Sequence, residues 1–241
     1  MNLPLRIISL RAPFRSTGRG GRRLAAASLT EILVSLAVIA ILMVFLIPGF
    51  SAYRNLANIQ QCAGNMRQQY AAAMAYAVDH GVLPGSINSG GVTFYRQVAS
   101  YLGYDATKTA RYFPVFMCPE RPLAELTRIV EAKGGSINYG GYIYNPYVCG
   151  IPANSLPIRR LSEFRMPANV WMIGDGNGQA SPYVWKGQEA TVENRIAYAH
   201  LVGGIRKTQL LMLDGHIEFK SVEEMKANEG NFWQDPRIPK P

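Results

Sequence analysis

The residue whose chemistry is hardest to explain by packing alone is Glu31. It is a single carboxylate near the start of the otherwise apolar segment running from Leu24 to Tyr53. A charge carried inside a membrane-length helix costs on the order of 3 kcal/mol or more, so Glu31 calls for a cation to neutralise it. A second set of candidates lies near the other end of the chain. His200, Asp214 and His216 include two of only three histidines, and imidazole and carboxylate suit a zinc ion or a hydrolytic centre. No nucleophile elbow, phosphate loop or paired-carboxylate spacing accompanies them. Asp214-Gly215 between apolar runs is a hairpin signal, in which Asp bonds its own backbone. The expectation is therefore a chain that is not an enzyme. The alternative is a single-pass anchored periplasmic enzyme or binding protein using His200, Asp214 and His216.

Two further groupings carry ligand chemistry. Asp175-Gly176-Asn177-Gly178 offers two side-chain oxygens, Asp175 and Asn177, to a calcium ion. Calcium takes six to eight oxygens, and a plain glycine-rich turn competes with that reading. The three cysteines, Cys62, Cys118 and Cys149, allow one intramolecular disulfide at most. Cys118 opens a Cys-Pro turn that can dock on the helical stripe bearing Cys62, which favours a Cys62–Cys118 pair over Cys118–Cys149. Buried thiols behaving as small hydrophobes are the competing expectation.

The elements that must position these residues follow from periodicity. Ile32–Ile47 is apolar apart from Ser35, and with Leu24–Thr30 it exceeds the roughly 20 residues needed to span hydrocarbon. It is too long for the apolar part of a cleaved secretory signal, so it stays on the protein. After Pro48-Gly49 the helical pattern resumes. Ile59, Cys62, Ala63, Met66, Tyr70, Ala73 and Ala77 form one stripe, while Gln60, Gln61, Asn65, Arg67 and Gln68 take the other faces. Together these predict one long, bent helix from about Ser28 to Asp79, stopped by Gly81 and Pro84. Beyond Pro84, short segments rich in Tyr, Val, Ile and Phe, including Val92–Tyr95, Tyr112–Phe116 and Tyr139–Tyr144, read as loops and short strands. Asn169–Gly174, Gln209–Leu213 and Gly215–Phe219 read as stronger strands. The fold class expected is α+β, a helix covering one face of a small antiparallel sheet.

Charge describes topology rather than a nucleic-acid footprint. The formal net charge is +9, but Arg6, Arg11, Arg15, Arg19, Arg22 and Arg23 stand ahead of the apolar segment with no acidic residue among them. From Ala27 onward, 19 Lys+Arg face 16 Asp+Glu. That excess is too small for phosphate binding, and the basic leader instead obeys the positive-inside rule.

A basic leader, small residues and a hydrophobic stretch with Glu31 as the fifth residue after Ala26 resemble the amino-terminal segment of type IV prepilins and type II secretion pseudopilins. The resemblance implies cleavage by a prepilin peptidase between Ala26 and Ala27 and N-methylation of the new amine on Ala27. In it, Glu31 of one subunit pairs with that amine of the next. The family usually has Gly before the cut and Phe or Met after it, where this chain has Ala at both places. Further pieces resemble prepilin-like proteins whose tail carries a histidine followed by Asp-Gly-His. They are Cys62–Gln68, Tyr76–Pro84, Phe116–Pro119, Pro167–Val170, and His200 through Asp214-Gly215-His216. Thirteen residues separate His200 from Asp214, more than is usual, so Val202–Lys207 is expected to be a lengthened loop. The domain plan implied is a leader over 1–26, a transmembrane helix over 27–50, its amphipathic continuation over 51–80 and a globular α+β domain over 81–241. Such a chain is a structural subunit of a type II secretion or type IV pilus-like filament. It is held in the bacterial inner membrane with its carboxy-terminal domain periplasmic or extracellular, and its partners are other pilin or pseudopilin subunits and the peptidase. The resemblance to major pseudopilins also carries the expectation of calcium in a carboxy-terminal loop.

Overall fold

The computed structural model describes residues 28–87, 89–108, 113–120, 141–152, 155–176 and 196–227, with the side chains of 45–49, 51 and 52 excepted. The leader, Ala26, Ala27 and Asn177 lie outside the described residues.

The first element is helix α1, Leu29–His80. Its start is a capping box. The Ser28 N–H donates to Glu31 Oε2 at 2.8 Å, and the Glu31 N–H donates to Ser28 Oγ at 3.3 Å, so two of the orphan donors of a helix start are satisfied reciprocally. Ser35 Oγ returns its proton to the carbonyls of Glu31 and Ile32, a local bond that keeps a hydroxyl satisfied within an apolar helix. Every described side chain from Leu29 to Val44 is exposed. Among the described residues no helix is long and apolar enough to cross a membrane.

From Ile59 onward α1 is amphipathic, and the expected stripe is the one that is buried. Ile59, Cys62, Ala63, Met66 and Ala73 are buried, with Tyr70 and Ala77 partly so. Asn65, expected on a polar face, is buried as well, and so is Gln69. Both reach backbone carbonyls of the turn around Pro114–Phe116. Asn65 Nδ2 donates to Met117 O at 3.0 Å and to Pro114 O at 3.3 Å, and Gln69 Nε2 donates to Val115 O at 2.7 Å. Gly81, at φ +70°, closes the helix with its N–H on Ala77 O.

Among the described residues the sheet has five strands: β1 Tyr142–Tyr144, β2 Trp171–Asp175, β3 His200–Val202, β4 Ile205–Met212 and β5 Ile217–Lys220. All neighbouring pairs are antiparallel. β4 is the hub, pairing with β2, β3 and β5, while β1 pairs with β2. The architecture is thus α+β with an antiparallel sheet. Tyr142, Tyr144, Met172 and Leu211 join Cys62, Met66 and Ala73 of α1 in one core, and Ile143, Trp171, Leu210 and Met212 pack with Ile196 and Met225 in a second. The alternation along β1 and β4 is the period-2 pattern of a sheet covered on both faces. Met225 comes from the short helix Val222–Ala227 that follows β5.

Three local expectations need correction. Val92–Tyr95 is not a strand. Thr93 makes one isolated bridge with Ile87, and then helix α2, Phe94–Val98, begins, its Phe94 ring stacking on Tyr144 at a centroid distance of 4.0 Å. Asn65 belongs to the buried face. Val202–Lys207 is not a lengthened loop either, because it holds a tight hairpin between β3 and β4. Gly203 and Gly204 sit at φ +60° and +82° between the paired residues Val202 and Ile205. Two successive positive φ angles are what a two-residue turn matched to strand twist needs, and glycine supplies both without steric cost.

The Asp214-Gly215 hairpin is present as expected. Asp214 Oδ1 accepts from the His216 N–H at 3.1 Å and lies 2.6 Å from its ring Nδ1, while His216 Nε2 lies 3.3 Å from Glu218. The hydrogen bond to Asp214 raises the His216 pKa, with Glu218 adding to it, whereas burial lifts Asp214 but is outweighed by the His216 donors, so its carboxyl is lowered. Asp214 contributes above its unfolded pKa and is lost as pH falls through the lowered folded value. His216⁺ contributes below its unfolded pKa and is lost as pH rises through the raised one. The turn is therefore held best between the two, from ordinary carboxylate ionisation up to about neutral pH. An NMR titration should find the His216 midpoint above that of a free histidine, and Asp214→Asn should bring it down. An unmoved midpoint in that variant would remove the pairing from the account.

Candidate metal centre

Four segments distant in sequence converge beneath the sheet. Cys62 projects from the buried face of α1. Cys118 follows the 3-10 turn Pro114–Phe116, which Asn65 and Gln69 fasten to α1. Asp175 is the last residue of β2, and His200 the first of β3. Gly141 lets the chain before β1 pass close to this corner. Its N–H bonds Phe116 O at 2.7 Å, and a Cβ there would stand 3.0 Å from the backbone nitrogen of Cys118. The four side chains are sealed from solvent, Cys118 at 2% exposure and the other three at 0%.

Among the described residues these four bring metal-ligating atoms together, all within 4.8 Å of one another. Cys62 Sγ lies 3.0 Å from Cys118 Sγ and 3.3 Å from Asp175 Oδ1. His200 Nε2 lies 3.2 Å from Asp175 Oδ2 and 3.8 Å from Cys118 Sγ. The outer contacts are polar too. The Gln209 N–H donates to Asp175 Oδ2 at 2.7 Å, and the Tyr142 hydroxyl lies 3.2 Å from Cys62 Sγ.

Electrostatics follows from this crowding. Burial and the neighbouring Cys118 and Asp175 push the Cys62 thiol up. The hydrogen bond from Cys62, joined by His200, outweighs burial at Cys118 and brings its thiol down to about 7. Burial opposes the imidazolium of His200, yet its contacts with Asp175 and Cys118 raise it to about 10. Cys149 stands apart, its thiol raised by burial, and all three cysteines are free thiols.

A thiol, an imidazole and a carboxylate in contact invite comparison with a catalytic triad, and the geometry argues against one. In a triad the imidazole faces the nucleophile with one nitrogen and the carboxylate with the other. Here Cys118 and Asp175 both face Nε2, while Nδ1 is buried without a hydrogen-bond partner among the described residues. Ligand-type atoms this close together could instead hold a metal ion.

Comparison with family models, curated proteins and solved structures gave no match.

The expected sites are regrouped by these contacts. Of the pair expected at a calcium turn, Asn177 lies outside the described residues and Asp175 is buried in this cluster. Its two oxygens are taken up by a backbone N–H, an imidazole and a thiol in a closed interior, and a hard cation wanting six to eight oxygens has no place among sulfurs. His200 turns to Asp175 and Cys118, whereas His216 turns to Asp214 and Glu218 at an exposed hairpin, so His200, Asp214 and His216 make no common centre. Cys62 and Cys118 are neighbours as expected, at a separation beyond the ~2.05 Å of a disulfide. Tyr142 was not foreseen as a participant. Its only sequence signal is a tyrosine at an inward position of a strand, which reads equally as core.

Proposed function

We propose that this chain is a pilin-like structural subunit of a type II secretion or type IV pilus-like filament, held in the inner membrane by the start of α1 and processed by prepilin peptidase. The observation that carries the reading is the amino-terminal part of α1, where apolar side chains from Leu29 to Val44 are exposed on every face and Glu31 is the only charge among them. A helix apolar all round belongs in a core or in a membrane. Six arginines without an acidic partner precede it, which favours a cytoplasmic leader. The long helix Leu29–His80 with an antiparallel sheet packed on its later part agrees with a pilin-like plan, in which neighbouring subunits cover the apolar helix and the amine of Ala27 meets Glu31. A closed interior without a relay geometry supports a structural role over an enzymatic one.

Amino-terminal sequencing and intact-mass analysis of the protein extracted from membranes test this. The expected product begins at N-methylated Ala27. A chain retaining Met1, or one that has lost the whole apolar run, would defeat the reading.

A further inference from the structure

We propose that Cys62, Cys118, Asp175 and His200 form a closed, four-coordinate zinc site that fastens α1 to the sheet. This goes beyond the filament reading and does not depend on it, since the amino terminus takes no part in the site.

Ligand types select the ion. Two sulfurs exclude magnesium and calcium, a carboxylate disfavours copper(I), and the mixed set of two sulfurs, one nitrogen and one oxygen suits zinc. Zinc bonds of about 2.0–2.3 Å at the tetrahedral angle place ligand atoms ~3.3–3.8 Å apart. The separations of 3.3 Å from Cys62 to Asp175 Oδ1 and 3.8 Å from Cys118 to His200 lie at that spacing, and that of 3.2 Å from His200 to Asp175 Oδ2 just under it; the carboxylate turns to present one oxygen to both neighbours, and the sulfur pair at 3.0 Å opens slightly to admit the ion. On binding, both sulfurs form Zn–S bonds as thiolates and His200 coordinates as the neutral ring through the Nε2 lone pair, every proton still carried by these three groups passing to solvent. Two thiolates and a carboxylate exceed the ion's charge by one unit. The Tyr142 hydroxyl on Cys62 and the Gln209 N–H on Asp175 are donors placed against that excess.

Four protein ligands leave no open position, which separates structural from catalytic zinc. The ligands span contacts of sequence separation 56, 82 and 113. A tie across such distances removes more freedom from the unfolded chain than a local one does. The site therefore holds the helix, the Cys118 turn, β2 and β3 in one arrangement.

The experiment is metal analysis of the full-length chain, extracted in detergent with thiols alkylated at lysis in a parallel sample. One zinc per chain is expected, unchanged in Cys149→Ser and lost in Cys62→Ser and His200→Gln. Because those variants can fail to fold, cobalt is loaded into the wild-type protein, where thiolate-to-cobalt charge transfer and intense visible bands of tetrahedral cobalt are expected. Chelation should lower the thermal midpoint of the wild type. Folded wild type without zinc and without cobalt–thiolate absorption overturns the proposal. So does zinc retained equally by Cys62→Ser and Cys118→Ser, or a Cys62–Cys118 disulfide in the trapped sample. None of these results bears on where the mature chain begins.

Discussion

Asp175→Ala is expected to destabilise the globular domain by about 3–5 kcal/mol, the cost of removing one partner from a buried charged group and leaving the rest uncompensated. Asp175 is fully buried and serves three neighbours at once: the Gln209 N–H in β4, the His200 ring in β3 and the Cys62 thiol in α1. Truncation orphans a β4 backbone donor and leaves His200 facing thiols without a counter-charge in an interior sealed from solvent. Asp175→Asn keeps an oxygen for Gln209 but loses the charge and turns the acceptor facing Cys62 into a donor, so about 1–3 kcal/mol is expected from the imperfectly matched polar groups. Denaturant unfolding of the full chain, with and without a chelator, reads both variants. The hydrogen-bonding part of the loss survives chelation, and the zinc part does not. An alanine variant within about 1 kcal/mol of wild type, an ordinary surface-substitution effect, would mean that the cluster does not organise the domain.

How much of this was readable beforehand depended on whether the signal was local. The α1 stripe was legible because burial of Ile59, Cys62, Met66 and Ala73 follows helical periodicity. The Asp214-Gly215 turn was legible because Asp bonds its own backbone two residues on. Asn65 and Gln69 were not, because their burial depends on carbonyls of Pro114–Met117, about 50 residues away, which no local pattern reveals. The β3–β4 hairpin carried a Gly-Gly signal at 203–204 that spacing to Asp214 obscured, since a family interval was compared where turn chemistry would have decided. The metal centre is the extreme case. Each of Cys62, Cys118, Asp175 and His200 is conspicuous in the sequence, but they divide there among three groupings, Cys62 with Cys118, Asp175 with Asn177, and His200 with Asp214 and His216, because ligands from a helix, a turn and two strands share no spacing. Only the register of β2 and β3 along β4 brings Asp175 and His200 together.

Glu31 was read from the sequence as a charge awaiting a partner, while its second role was also written there, in Ser28-Leu29-Thr30-Glu31, the pattern of a capping box ahead of an apolar run. The two roles call for different substitutions. Glutamine at this helix position still reaches back to the Ser28 N–H, so Glu31→Gln preserves the cap and removes the charge. Alanine removes both, at a local cost on the order of 1 kcal/mol. If the carboxylate pairs with the Ala27 amine of a neighbouring subunit, both variants should insert in the membrane at least as well as wild type, because an ion costing about 3 kcal/mol in hydrocarbon is gone. Both should then fail to assemble, by tenfold or more in filament yield, because the amine of each adjacent protomer is left uncompensated in lipid. Shearing or cross-linking assays against membrane-inserted protein measure the ratio. Normal assembly of Glu31→Gln beside defective Glu31→Ala would reduce Glu31 to a helix cap and remove intersubunit charge pairing from the mechanism. Equal failure of the two, with insertion intact, would leave the charge as the only property they both lack that a filament could require.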